Sequence, residues 1–153
     1  MPSLPARTLF IVPALLGALL VAACSENRTE TTVDVTLKEW SVTPSRDSAP
    51  AGDVTFNVRN EGPDRDHQLV IVRTDLAPEN LPTKSNGTVD EGADGVKVVG
   101  KILRVGKGER SSGVYTLKAG KYVLICNLYD EENGQKVSHY QQGMRVAFTV
   151  TEQ

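Results

Sequence analysis

The feature that most constrains this chain is a two-residue hydrophobic period that recurs in short runs between Val33 and Val150. "VDVTL" sets Val33, Val35 and Leu37 on one face of an extended segment, and "DVTFNV" does the same with Val54, Phe56 and Val58. Successive side chains of a strand point to opposite faces, so this alternation predicts strands with one face buried. "HQLVIV" is apolar on both faces after His67, as a central strand covered from both sides would be. "VKVVGKIL", "VYTL", "KYVLIC" and "MRVAFTV" follow, separated by the turn-forming runs "PAGD", "NEGPD", "GKGE" and "KAGK". No long helical period competes with them. Short strands at this spacing predict an all-β sandwich or barrel. One segment departs from the pattern. "TDLAPENLPTKSNGTVDEGADG" is long, polar and rich in Pro, Asp and Gly, which predicts a loop with room for a helical turn but not for a strand. A loop of that length inside a small domain is usually functional or mobile.

A length of 153 residues suits one domain, and a formal net charge of -2 gives no basic footprint for nucleic acid. The first residues read as an export signal rather than as fold. "MPSLPARTLF" carries the single basic Arg7, and "LFIVPALLGALLVAAC" is apolar, too short for a comfortable membrane span, and ends in small residues. We therefore divide the chain into a signal peptide over 1–23, a polar tether over 24–32 and a folded domain over 33–153. "LVAAC" resembles a bacterial lipobox, which implies that Cys24 becomes the lipidated first residue of the mature protein. The expected location is the cell envelope, on the periplasmic or extracellular face of a bacterial membrane. Removing residues 1–23 takes away Arg7 and no acid, leaving 16 basic against 19 acidic residues. With Cys24 acylated, Cys126 is left single in an oxidising compartment, where a leftover thiol is reactive, intermolecular or metal-bound.

The domain after Cys24 holds two histidines, one cysteine and one methionine: His67, Cys126, His139 and Met144. Singly each has a plain account. Cys126 reads as an inert buried thiol, His67 as a polar strand end, and His139 as a solvated loop residue. Met144 continues the core face Met144, Val146, Phe148, Val150. Together they are two imidazoles, one thiolate and one thioether. That is the donor set of a blue copper site, with the thioether as a weak axial ligand. Zinc seldom takes methionine, and a structural zinc site would hold more cysteines.

These residues carry a resemblance to the cupredoxins, the small blue-copper fold. "AGKYVLICN" followed by "HYQQGMRVAFTV" is similar to the family's strand into Cys, then His, then Gly-Met and the closing strand. "NEGPDRDHQLV" resembles its Asn-x-Gly turn before the first histidine. The resemblance spans roughly Val33 to Val150 and is nearest to exported, sulfocyanin-like bacterial proteins. It implies a Greek-key β-sandwich or barrel and one copper ion cycling between Cu(I) and Cu(II). It also implies His67, Cys126, His139 and Met144 as the ligands, and a monomeric electron carrier serving a redox protein partner. A copper chaperone or store is the alternative. An enzyme is not expected, because Ile125 and Asn127 flank Cys126 where a reductase would place a wiring histidine, and no histidine remains for a second metal. Two departures stand out. Twelve residues, "NLYDEENGQKVS", separate Cys126 from His139, where plastocyanin-like relatives have a few, and Asn133-Gly134 marks a hairpin centre within them. Gln68 stands where many relatives have asparagine. Asp130, Glu131 and Glu132 are expected at the rim, as a solvated loop tip or a docking charge, and His139 is expected near the surface.

Overall fold

The structure is a computed structural model that describes residues 30–132 and 134–153. The signal peptide, Cys24 and the start of the tether lie outside the described residues. Two sheets face each other. The first contains β1 (Glu30–Lys38), β2 (Ser41–Pro44), β4 (Gly52–Asn60) and β7 (Arg110–Leu117), in the order β2-β1-β4-β7. The second contains β3 (Ser48–Pro50), β5 (His67–Arg73), β6 (Lys97–Val105), β8 (Gly120–Ile125) and β11 (Arg145–Thr151), in the order β3-β11-β8-β5-β6. β1 takes in residues 30–32, which the sequence reading gave to the tether.

The period-two residues define the interior. β1 pairs with β4 in parallel, with Val33 opposite Phe56 and Val35 opposite Val58, and all four are buried. The alternate positions face water, where Asn57 Nδ2 donates to Asp34 Oδ1 at 3.0 Å. Phe56 reaches across to Phe148 of β11, ring centroids 5.8 Å apart and edge to face. Leu69, Ile71 and Leu124 close the layer from the second sheet.

β5 and the second half of β8 are buried on both faces, as the unbroken apolar run predicted for β5. Their second face, with Val70, Val72, Val123 and Ile125, packs under Leu81, Val89 and Tyr140. Leu81 and Val89 belong to the long loop between β5 and β6. That loop holds a single 3-10 turn over Pro78–Asn80 and one isolated bridge between Thr83 and Val89. It is a packed cover rather than a free excursion.

The twelve-residue insertion folds back on itself. β9 (Tyr129–Glu132) and β10 (Gln135–Ser138) form an antiparallel ribbon, with Lys136 opposite Glu131 and Ser138 opposite Tyr129. Gly134 takes φ 75°, the positive value that a two-residue hairpin turn asks of its second residue. Asn133 itself lies outside the described residues. A four-residue helix, α1 (His139–Gln142), follows. Ser138 Oγ caps it by accepting from the backbone N–H of Gln141 at 3.3 Å. Gly143 then turns the chain at φ 124° into Met144 and β11. His139 therefore sits on a capped helical turn, and Met144 one residue before the last strand.

Candidate metal centre

Each donor is placed by backbone pairing before any side-chain contact is considered. Ile125 of β8 lies opposite Arg145 of β11. One step further the backbone N–H of Cys126 donates to the Met144 carbonyl at 3.0 Å, so Cys126 and Met144 are held as an opposed pair just past the strand ends. β5 runs antiparallel to β8, with Val70 opposite Ile125, which brings the start of β5 beside Cys126. There the backbone N–H of Gln68 donates to Cys126 Sγ at 3.4 Å. This bond comes from the main chain and does not depend on which side chain stands at Gln68. His67 is fixed from behind by the turn that precedes it. Asn60, fully buried, donates through Nδ2 to the Arg65 carbonyl at 2.7 Å and to the Val105 carbonyl at 2.9 Å, and its Oδ1 accepts from Gly62 N–H at 2.9 Å.

His139 arrives by a different route. Its backbone N–H donates to the Leu128 carbonyl at 3.0 Å, which closes the base of the hairpin. Met144 N–H then donates to the His139 carbonyl at 3.0 Å. The cover loop clasps the same segment. Ser138 Oγ donates to the Gly87 carbonyl at 2.7 Å, and Tyr140 Oη donates to the Pro78 carbonyl at 2.7 Å while accepting from Leu81 N–H at 3.1 Å. Asn127 accepts from Val89 N–H at 2.6 Å, and donates to the Val89 carbonyl at 3.1 Å and to Glu91 Oε1 at 3.0 Å.

The result is a compact triangle. His67 Nδ1 and His139 Nδ1 lie 3.2 Å apart, and Cys126 Sγ lies 3.4 Å from His139 Nδ1 and 3.9 Å from His67 Nδ1. Three donors set around one first-row ion at about 2.0–2.3 Å would be about 3.5–3.7 Å from one another. The triangle matches that size, with both imidazoles turned Nδ1 forward. His67, Cys126, His139 and Met144 are each 0% exposed. Burial lowers the His67 pKa, with the neighbouring His139 adding to it, and pushes the Cys126 thiol up to about 11. A cation entering this triangle must displace the thiol proton.

Two expectations are corrected here. His139 is not at the surface: the edge of its ring meets Trp40, centroids 5.1 Å apart, and Arg65 lies over the Trp40 ring at 5.1 Å. Asp130 is not a free rim charge. Its Oδ2 is 2.9 Å from His139 Nε2 and pairs with the Arg65 guanidinium. Burial would raise the Asp130 pKa, but hydrogen bonds from His139 and Arg65 outweigh it and hold the carboxyl below the usual range. The sequence reading also missed Glu39, whose Oε1 lies 3.6 Å from His67 Nε2 and accepts from the backbone N–H of Arg65 at 2.8 Å. Glu39 Oε2 and His67 Nε2 are buried side-chain atoms with no hydrogen-bond partner. Gly62 is what admits Glu39, since a Cβ there would lie 2.3 Å from Glu39 Oε2. Glu39 follows β1 with no motif around it, so no local signal marked it.

No protein-family model and no curated protein matches the sequence. Solved structures do match in fold. Reduced auracyanin from the photosynthetic bacterium Roseiflexus castenholzii superposes with a TM-score of 0.55 at 18% identity, over 79% of this chain and 97% of that one. Auracyanin A, a "blue" copper protein from Chloroflexus aurantiacus, gives 0.52 at 15% identity, over 80% and 100%. Rusticyanin from Thiobacillus ferrooxidans gives 0.53 at 13% identity, over 80% of this chain and 77% of that one. At these identities the likeness establishes architecture: the chain is a β-sandwich with the cupredoxin fold, and it carries a His-Cys-His group of a size that fits a type 1 copper site.

Proposed function

We propose that this protein binds one copper ion in a type 1 site and carries single electrons. His67, Cys126 and His139 would hold the ion, with the Met144 thioether as the weak axial donor. The observation that carries this reading is the convergence of two imidazole Nδ1 atoms and one buried sulfur to within 3.2–3.9 Å at one end of a cupredoxin sandwich. A soft thiolate and thioether beside two imidazoles select copper over harder cations. Bound there, the ion supplies a one-electron couple between Cu(I) and Cu(II). The protein's part is rigidity. β5, β8 and β11 fix three donors through their ladders, the cover loop clasps the fourth, and the fully buried donors leave no room for substrate or bulk water. That enclosure supports a carrier rather than an enzyme.

The deciding measurement is the visible absorption spectrum of the purified domain loaded with Cu(II). An intense cysteine-to-copper band is expected. A colourless complex, or a preference for zinc, overturns the reading.

We further infer that Cys24 anchors the domain to a membrane through lipid, since "LVAAC" is similar to a lipobox. On this reading the carrier works as a monomer in the cell envelope, with a redox protein as partner. Cys24→Ser is expected to release the domain from the membrane fraction or block its maturation. Unchanged fractionation and unchanged lipid labelling would refute the anchor.

A further inference from the structure

Both imidazoles turn their far nitrogen toward a carboxylate. His139 Nε2 lies 2.9 Å from Asp130 Oδ2, and His67 Nε2 lies 3.6 Å from Glu39 Oε1. Arg65 joins the two acids, its backbone N–H donating to Glu39 at 2.8 Å and its guanidinium pairing with Asp130. The proton positions follow. An ionised carboxylate only accepts, so Nε2 of His139 carries the hydrogen and its Nδ1 is bare. Nδ1 of His67 faces it at 3.2 Å and, as its donor, would leave Nε2 of His67 without a hydrogen. This accounts for the two unpartnered buried side-chain atoms among the described residues, His67 Nε2 and Glu39 Oε2, which belong to facing groups. Shifting one proton of His67 from Nδ1 to Nε2 gives Glu39 a donor. The same shift bares the second Nδ1 for a cation. A cation held by both Nδ1 atoms would therefore set the hydrogen of each imidazole on the nitrogen that faces a carboxylate.

We propose that Asp130 and Glu39 are positioning residues for the metal centre, each holding one imidazole with Nδ1 toward the ion, and that the insertion hairpin serves to deliver Asp130. This rests on the copper reading above. Carboxylates behind metal-bound histidines fix their orientation and raise their basicity, and substituting such partners typically costs 10- to 100-fold in metal affinity. Their negative charge favours Cu(II) over Cu(I), so the pair lowers the reduction potential. The hairpin then has a chemical role that a short loop could not fill, because Asp130 returns to His139 from nine residues upstream.

Two measurements test this. In metal-free protein labelled with nitrogen-15 histidine, the ring shifts of His139 should show the hydrogen on Nε2. A hydrogen on Nδ1 overturns the proposal, and no copper is involved in that result. In copper-loaded protein, Asp130→Asn and Glu39→Gln preserve shape and remove charge. Each should weaken Cu(II) binding about tenfold while leaving Cu(I) binding unchanged, which raises the one-electron potential by about 59 mV. Asp130 and Glu39 are merely structural if both variants lower the melting temperature and leave the potential where it was. Should Asp130→Asn fail to fold, Glu39→Gln still decides the second arm. A wild-type protein that binds no copper refutes the functional reading instead, and the nitrogen-15 result still decides the positioning role.

Discussion

His67 and His139 meet at 3.2 Å, yet the chain brings them there in different ways. His67 is the first residue of a strand buried on both faces, and its place follows from sheet register and from the Asn60-braced turn before it. His139 sits on a four-residue helix at the end of a hairpin. Its place follows from individual hydrogen bonds to Leu128, Asp130 and Met144, and from the cover loop gripping its neighbours. One imidazole is held by cooperative structure, the other by a set of separable clasps. Ladder positions resist single substitutions because many bonds share the load. Clasped positions expose each contact to measurement.

The most severe way to break that comparison is to remove the atom both halves share. Cys126→Ser should abolish the visible band of the copper-loaded protein entirely, since the transition belongs to the sulfur and a hard hydroxyl does not replace a soft thiolate. Absorption spectra check it. A smaller effect separates the halves. Asn127→Ala removes three hydrogen bonds between the ligand segment and the cover loop. It should cost about 2–3 kcal/mol in urea unfolding, because partners in partly buried surroundings lose their bonds. It should also loosen His139 more than His67, which hydrogen exchange at the backbone of each would show. Met144→Leu nearly conserves volume and should cost less than about 1.5 kcal/mol. It should keep a coloured site while raising the reduction potential, read by redox titration.

The weakest effect is a pH dependence of the clasp. Burial would raise the Glu91 pKa, but hydrogen bonds from Lys101 and Asn127 and the Lys101 charge outweigh it, and the carboxyl lies below its usual 4.5. A depressed folded value means that the unfolded chain binds more protons at acid pH. The contribution is therefore present above the unfolded value and lost as pH falls through the folded one. Glu91→Gln should lower stability near neutrality, where the carboxylate contributes, and flatten the further loss below pH 4.5, as denaturant midpoints at several pH values would show.

The same contrast explains what was legible from sequence. Val33, Val35, Leu37, Val54, Phe56 and Val58 announced two strands because side-chain alternation is a local consequence of the pleat. The double burial of β5 was legible in "HQLVIV" for the same reason. Asn133-Gly134 announced a hairpin because the turn type itself demands those residues. The contacts of Glu39 with His67 and of Arg65 with Asp130 were not legible, since they join residues 28 and 65 positions apart with no periodic signal. Asp130 looked like a solvated loop acid because, by spacing, it is one. Only the return of the ribbon turns it inward. The parallel pairing of β1 with β4 and the short strands β2 and β3 went unread too, because edge strands of three or four residues offer too few alternations to count.

The complete enclosure of the donors also bears on how long an ion would stay. A hydrated cation cannot touch any of the four side chains while the clasps are closed. Loading and loss must both pass through an opened form of the hairpin or cover loop, with a frequency set by local stability. Residence time is then governed by that opening as well as by affinity. A protein meant to hand its metal to another must present at least one donor to the recipient. On the copper reading proposed above, a site sealed on every side would keep its ion through repeated turnovers, and only the electron would leave it.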